Sequence, residues 1–116
     1  VKIPKKFKVG GAEMTVRQVD RSDDNCAGIC NLCGGFIEIA EHFNKTDSQS
    51  EGSKINTFYH ELTHSILKTM GETELNDNEK FVCCFSSFLS EAMGNAYFEE
   101  EEEEIEGDVL LYKNKL

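Results

Sequence analysis

A chain of 116 residues can bury one hydrophobic core but not two, so a single domain is expected. The formal charge of −10 excludes a nucleic-acid backbone or an anionic membrane as the main partner, since both call for a basic face. That charge is uneven: residues 99–116 hold eight acidic and two basic side chains, a net of −6, and the first 98 residues carry only −4. The expected division is one domain over residues 1–98 and an acidic tail over 99–116. The five cysteines are odd in number and have no spacing typical of a small secreted framework; with no charged-then-apolar leader before them, they point to a reduced, cytoplasmic protein. No apolar run approaches the roughly 18 residues that a membrane span requires.

Along the chain, Phe7 and Val9 alternate with lysines, Gly10-Gly11 follows, and Met14 and Val16 alternate with Thr15 and Arg17. Period-two patterning around a glycine pair predicts a β-hairpin over residues 5–9 and 12–19. Apolar pieces at 27–32 and 36–40, on either side of Gly34-Gly35, predict a second hairpin with Ile37 and Ile39 on one face and Glu38 on the other. The first half thus reads as a small antiparallel sheet of three or four strands. Residues 42–52 are polar and read as a loop. The period then becomes helical through Ile55, Phe58, Leu62, Ile66 and Met70, with Ser53 as N-cap and Gly71 as the stop. After a break at 72–78, Phe81, Val82, Phe85, Phe88, Leu89, Ala92 and Met93 mark a second amphipathic helix of core-forming residues. Beyond it, the run of glutamates from 99 to 104 reads as a solvated tail and 109–112 as a short strand. The fold class is α+β: an antiparallel sheet followed by two packed helices.

The first helix carries His60-Glu61-Leu62-Thr63-His64, an HExxH motif. Side chains four apart share a helix face, so both imidazoles can present a nitrogen to one metal ion, and zinc suits such a pair. Glu61, about 100° further round the helix, stands beside that ion without binding it, within reach of a water the metal would activate; that is the place of a general base. Shuffling this composition produces the motif in roughly one chain in a hundred, so its surroundings matter.

A hydrolytic zinc ordinarily has three protein ligands. The candidates for the third are His42, Glu72, Glu74, Asp77 and Glu79. Glu79 is the best placed, in the first turn of a helix that would pack on the motif helix. It also fits a capping box, Asn76-Asp77-Asn78-Glu79, in which Asn76 caps the helix and Glu79 reaches back to a backbone N–H. Both readings stand at this point.

The run Thr57-Phe58-Tyr59-His60-Glu61-Leu62-Thr63-His64-Ser65-Ile66-Leu67, followed by Met70-Gly71-Glu72 and Asn78-Glu79-Lys80-Phe81-Val82, resembles small HExxH metallopeptidase-like proteins encoded by phages and prophages. More distantly it is similar to ImmA/IrrE-like and other gluzincin-type zinc peptidases. The likeness covers about residues 53–93. It implies a minimal zincin-like fold, Zn2+ on His60, His64 and Glu79, and Glu61 as base. The sequence departs from these families in two places. Only 14 residues separate His64 from Glu79, fewer than in the larger gluzincins, and Val82-Cys83-Cys84-Phe85 replaces the alanine-rich stretch of the ImmA/IrrE-like proteins.

Cys26, Cys30 and Cys33 have the CxxxCxxC spacing that holds an iron–sulfur cluster in radical S-adenosylmethionine enzymes, but those are built on a βα barrel far longer than this chain. The remaining readings are a structural zinc shared with His42, or small hydrophobes in a hairpin. Cys83 falls one turn from Glu79, near the expected metal. The expected function is zinc-dependent hydrolysis of a peptide or protein substrate paired along an edge strand near residues 36–40. Tyr59, Tyr97, Tyr112 and His42 are candidates for steadying the oxyanion. The alternative is a non-catalytic, metalloprotease-like binding module that serves a phage as a regulatory or host-interaction protein.

Overall fold

The computed structural model of the chain describes residues 3–20, 26–44 and 46–99. β1 (Lys6–Val9) and β2 (Ala12–Val19) form the first hairpin, and Gly10 and Gly11 take φ of 60° and 84° in its two-residue turn. Positive φ at both central positions lets a tight turn follow the right-handed twist of its strands. β3 (Gly28–Asn31) and β4 (Phe36–Ala40) form the second hairpin, with Gly35 at φ 77°.

The two hairpins do not lie side by side. The strand order is β1-β2-β4-β3, and β2 pairs with β4 in parallel, Val16 opposite Ile37 and Gln18 opposite Ile39. The expected antiparallel sheet is therefore corrected to a mixed one. The physical reason lies in β4, the most apolar strand: Ile37, Ile39 and Ala40 are fully buried, and a central position covers such residues better than an edge does. As a result β4 is interior, and among the described residues the edge strands of the sheet are β1 and β3. On one face of the sheet Phe7, Met14, Val16, Ile37, Ile39 and Cys30 meet the helices. On the other, Arg17 pairs with Glu38 at 3.3 Å and lies 3.8 Å over the Phe36 ring.

α1 (Glu51–Met70) starts one turn earlier than expected. Its cap is Ser50, not Ser53: the Ser50 side chain accepts from the Ser53 N–H, and Gly71 closes the helix at φ 79°. The supposed loop supplies a buried clasp immediately before it. The Gln49 amide donates to the carbonyls of Ala27 and Ala40, and its Oε1 accepts from the hydroxyls of Ser53 and Thr57, each at 2.8 Å. The start of α1 is thereby tied to the ends of β3 and β4.

A short α2 (Thr73–Asp77), which carries no buried side chain, fills the expected break before α3 (Glu79–Asn95). α3 packs on α1 and α2, so α1 is the middle layer between α3 and the sheet. Its side chains are buried around the whole circumference, from Phe58 and Glu61 to Tyr59, Thr63 and Leu67. Among the described residues no helix is long and apolar enough to cross a membrane. The acidic tail and the strand expected at 109–112 lie outside the described residues, apart from Glu99.

Candidate metal centre

The motif sits in the middle of α1, where helix geometry is firmest, and the rings of His60 and His64 lie 5.0 Å apart on one face. The third donor arrives from α3. Asn78 caps that helix through an Oδ1 that accepts from the Phe81 N–H at 3.0 Å, which makes Glu79 the first helical residue. The capping box expected of Asn76 and Glu79 is thus not formed. The Glu79 carboxylate straddles the two rings instead, with Oε1 3.4 Å from His60 Nε2 and Oε2 3.2 Å from His64 Nε2.

The donor atoms of His60, His64 and Glu79 all lie within 4.8 Å of one another. Donors about 2.1 Å from one tetrahedral centre are about 3.4 Å apart, and the two carboxylate–imidazole spacings are of that order. Two imidazole nitrogens and a carboxylate oxygen are also a chemically suitable donor set for that ion.

Asn76 has a different task from capping. Its Oδ1 lies 2.6 Å from His64 Nδ1. A carbonyl oxygen only accepts, so this contact is made by an Nδ1–H, which leaves Nε2, the atom that faces Glu79, as the nitrogen free to offer a lone pair to a metal ion. Cys83, one turn along α3, places its Sγ 3.9 Å from both His60 Nδ1 and Glu79 Oε1. Burial and the adjacent Glu79 push its thiol pKa up. Burial and the neighbouring His64 lower the pKa of His60, against an opposing pull from Glu79.

Glu61 is 8% exposed. Burial pushes its carboxyl up to about 7; Glu79 adds to the rise, and His64 and Lys68 oppose it. One wall beside it is β3. A Cβ on Gly28 would stand 2.6 Å from Thr57 Cγ2, 2.8 Å from the Glu38 carbonyl and 3.5 Å from Glu61 Cγ. Only glycine allows the strand so close to the helix. The Ala40 N–H donates to Ala27 O, and by antiparallel alternation Ile29 and Asn31 also bond inward to β4. Gly28 and Cys30 consequently turn their N–H and C=O groups toward the open edge.

Among the described residues, the triad is the one group of three or more His, Cys, Asp or Glu donors placed to share an ion. Cys26, Cys30 and Cys33 do not form a second. Cys30 packs against the core, where burial pushes its thiol up to about 11, while Cys33 is exposed in the turn and Cys26 donates to the Gly28 carbonyl at 3.3 Å. His42 pairs with Asp20 at 2.9 Å. Glu72, Glu74 and Asp77 are not part of the triad either. Of the residues expected to steady an oxyanion, Tyr59 belongs to the core, Tyr97 is exposed beyond α3, and Tyr112 lies outside the described residues.

The roles of Asn76 and Gln49 were missed in the sequence, where each sits in a polar stretch with several equivalent neighbours. Compared with protein-family models, curated proteins and solved structures, the chain matches none.

Proposed function

We propose that the chain is a minimal zinc-dependent metallopeptidase in which His60, His64 and Glu79 hold Zn2+ and Glu61 is the catalytic base. The observation that carries this reading is the meeting of three suitable donors, drawn from two helices, within 4.8 Å and beside a buried glutamate. The HExxH motif and a glutamate as third donor from a later helix, α3, also support a zincin of the gluzincin type, in keeping with the likeness to phage-encoded peptidases. The odd cysteine count supports a cytoplasmic setting.

Zinc in such a site supplies a Lewis acid that polarises a peptide carbonyl and acidifies water. Glu61 takes a proton from the attacking water as its oxygen bonds to the carbonyl carbon, then passes that proton to the amine nitrogen as the C–N bond breaks. A carboxyl pKa near neutrality suits a group that must both take and return a proton. The substrate is a peptide or protein segment in extended form. It pairs with β3, whose outward groups at Gly28 and Cys30 run past Glu61; this edge replaces the one expected at 36–40.

The test is to load wild type, Glu61→Gln and His60→Ala with zinc and follow cleavage of a mixed peptide library by mass spectrometry. Glu61→Gln is expected to keep one zinc per chain and lose hydrolysis, and His60→Ala to lose the metal. Equal cleavage by Glu61→Gln and wild type would sink the mechanism. Zinc retained by wild type with no cleavage would favour the non-catalytic module.

A further inference from the structure

α3 is the outermost layer, and an outer helix ordinarily turns a polar face to water. This one has a second apolar stripe. Val82 and Ser86 are buried on the inner side, and Leu89 packs against the core. On another side Phe81, Phe85, Phe88 and Ala92 recur at four, three and four residues. Phe81 and Phe85 stack with centroids 5.8 Å apart, and Phe85 and Phe88 are 48% and 69% exposed. Tyr97 and Phe98 extend the exposed aromatic surface beyond the helix.

We infer that this stripe packs against the same stripe of a second copy of the chain, α3 against α3, antiparallel about a two-fold axis. The spacing is self-complementary in that orientation: Phe85 meets Phe88 of the second copy, and Phe81 meets the small Ala92, large against small. Charge favours the same orientation. Lys80 and Glu91 lie on one flank of the stripe, about 20° apart around the helix axis. Neither has an ion-pair partner among the described residues. Antiparallel packing brings this flank against the same flank of the second copy, so Lys80 of one lies beside Glu91 of the other, whereas parallel packing puts the two flanks on opposite sides of the seam and forms no such pair.

Taking about 200 Å² for a whole aromatic side chain, the exposed fractions of Phe85, Phe88, Tyr97 and Phe98 together offer roughly 550 Å² per copy. That is below the approximately 800 Å² per partner of a standard specific interface and within the range of small, reversible contacts. Glu79 and Cys83 lie about 120–180° around α3 from the four stripe residues, so the dimer leaves the triad open. The inference holds with or without metal and does not rest on the peptidase reading.

Sedimentation velocity on the full chain, across concentration, tests it. A reversible dimer is expected. Phe88→Glu, at an exposed position, should weaken association about 100-fold or more with an unchanged circular dichroism spectrum. Lys80→Glu should weaken it less, and Lys80→Glu with Glu91→Lys should restore it. A chain that stays monomeric up to roughly 500 µM would overturn the inference, as would a dimer indifferent to Phe88→Glu or a double reversal that fails to rescue. A monomer that dimerises only after Leu110→Glu and Leu111→Glu would overturn it too, and would assign the stripe to the chain's own 109–112 segment.

Discussion

Replacing Glu61 with Gln should stabilise the metal-free protein, and by an amount that depends on pH. Burial raises the Glu61 pKa from 4.5 to about 7 in the folded chain, so folded protein holds this proton more tightly than unfolded protein does. Below pH 4.5 both states are protonated and the carboxyl costs nothing. As pH rises toward 7 the unfolded chain gives up the proton first, stability falls, and above the folded pKa the full cost is present. At 1.36 kcal/mol per pH unit that cost is about 3 kcal/mol, a large share of the 5–15 kcal/mol typical of a whole domain. Gln has nearly the same shape and no charge to bury. Urea denaturation of both proteins in a chelating buffer, from about pH 4 to pH 8.5, should therefore give curves that coincide in acid and diverge by up to about 3 kcal/mol above neutrality, with the variant more stable. The lowered pKa of His60 acts in the opposite direction, but it is common to both proteins and largely cancels in the difference. A stability difference that stays flat across this range would refute the account of Glu61 as a carboxyl strained by burial.

Two further substitutions probe the supports of the site. Asn76→Ala should weaken zinc binding about 10- to 100-fold in competition with a chromophoric chelator while leaving the helical spectrum unchanged, and Asn76→Asp, which retains an acceptor for His64 Nδ1, should recover most of the affinity. Gln49→Ala leaves the buried Ala40 carbonyl and the hydroxyls of Ser53 and Thr57 without the amide they bond, and a loss of about 2–3 kcal/mol is expected in urea.

Much of the local structure was legible because the signals were local. Gly10-Gly11 between alternating runs can hardly be anything but a tight turn, and the three-and-four spacing from Ile55 to Met70 permits little except a helix. That Glu79 meets His60 and His64 was legible because its position at the start of a rigid helix already limited where its carboxylate could go. Strand order was not legible: alternation says which way a side chain points and nothing about which strand lies alongside. The apolar run at 36–40 did contain a hint, since a strand with Ile37, Ile39 and Ala40 all to be buried belongs inside a sheet. The choice between Asn76 and Asn78 as cap was open for a similar reason: both side chains are competent, and only the path of α2 settles which one meets His64. Gln49 is a long-range clasp, tying Ala27 to Thr57, and no local pattern encodes that.

The insertion of β4 between β2 and β3 also bears on how the chain reaches its native state. Each hairpin closes over a few residues, a microsecond event, whereas joining them brings Thr15 to Phe36 across some twenty residues of chain. The entropic toll of loop closure therefore falls on the β2–β4 seam and not on either turn. The clustered side chains of His60, His64 and Glu79 ride on α1 and α3, while the strand edge beside Glu61 depends on that seam. Substitutions at Thr15 and Arg17, which alternate with the helix-facing Met14 and Val16, should therefore alter the folding rate with little effect on how the helices meet.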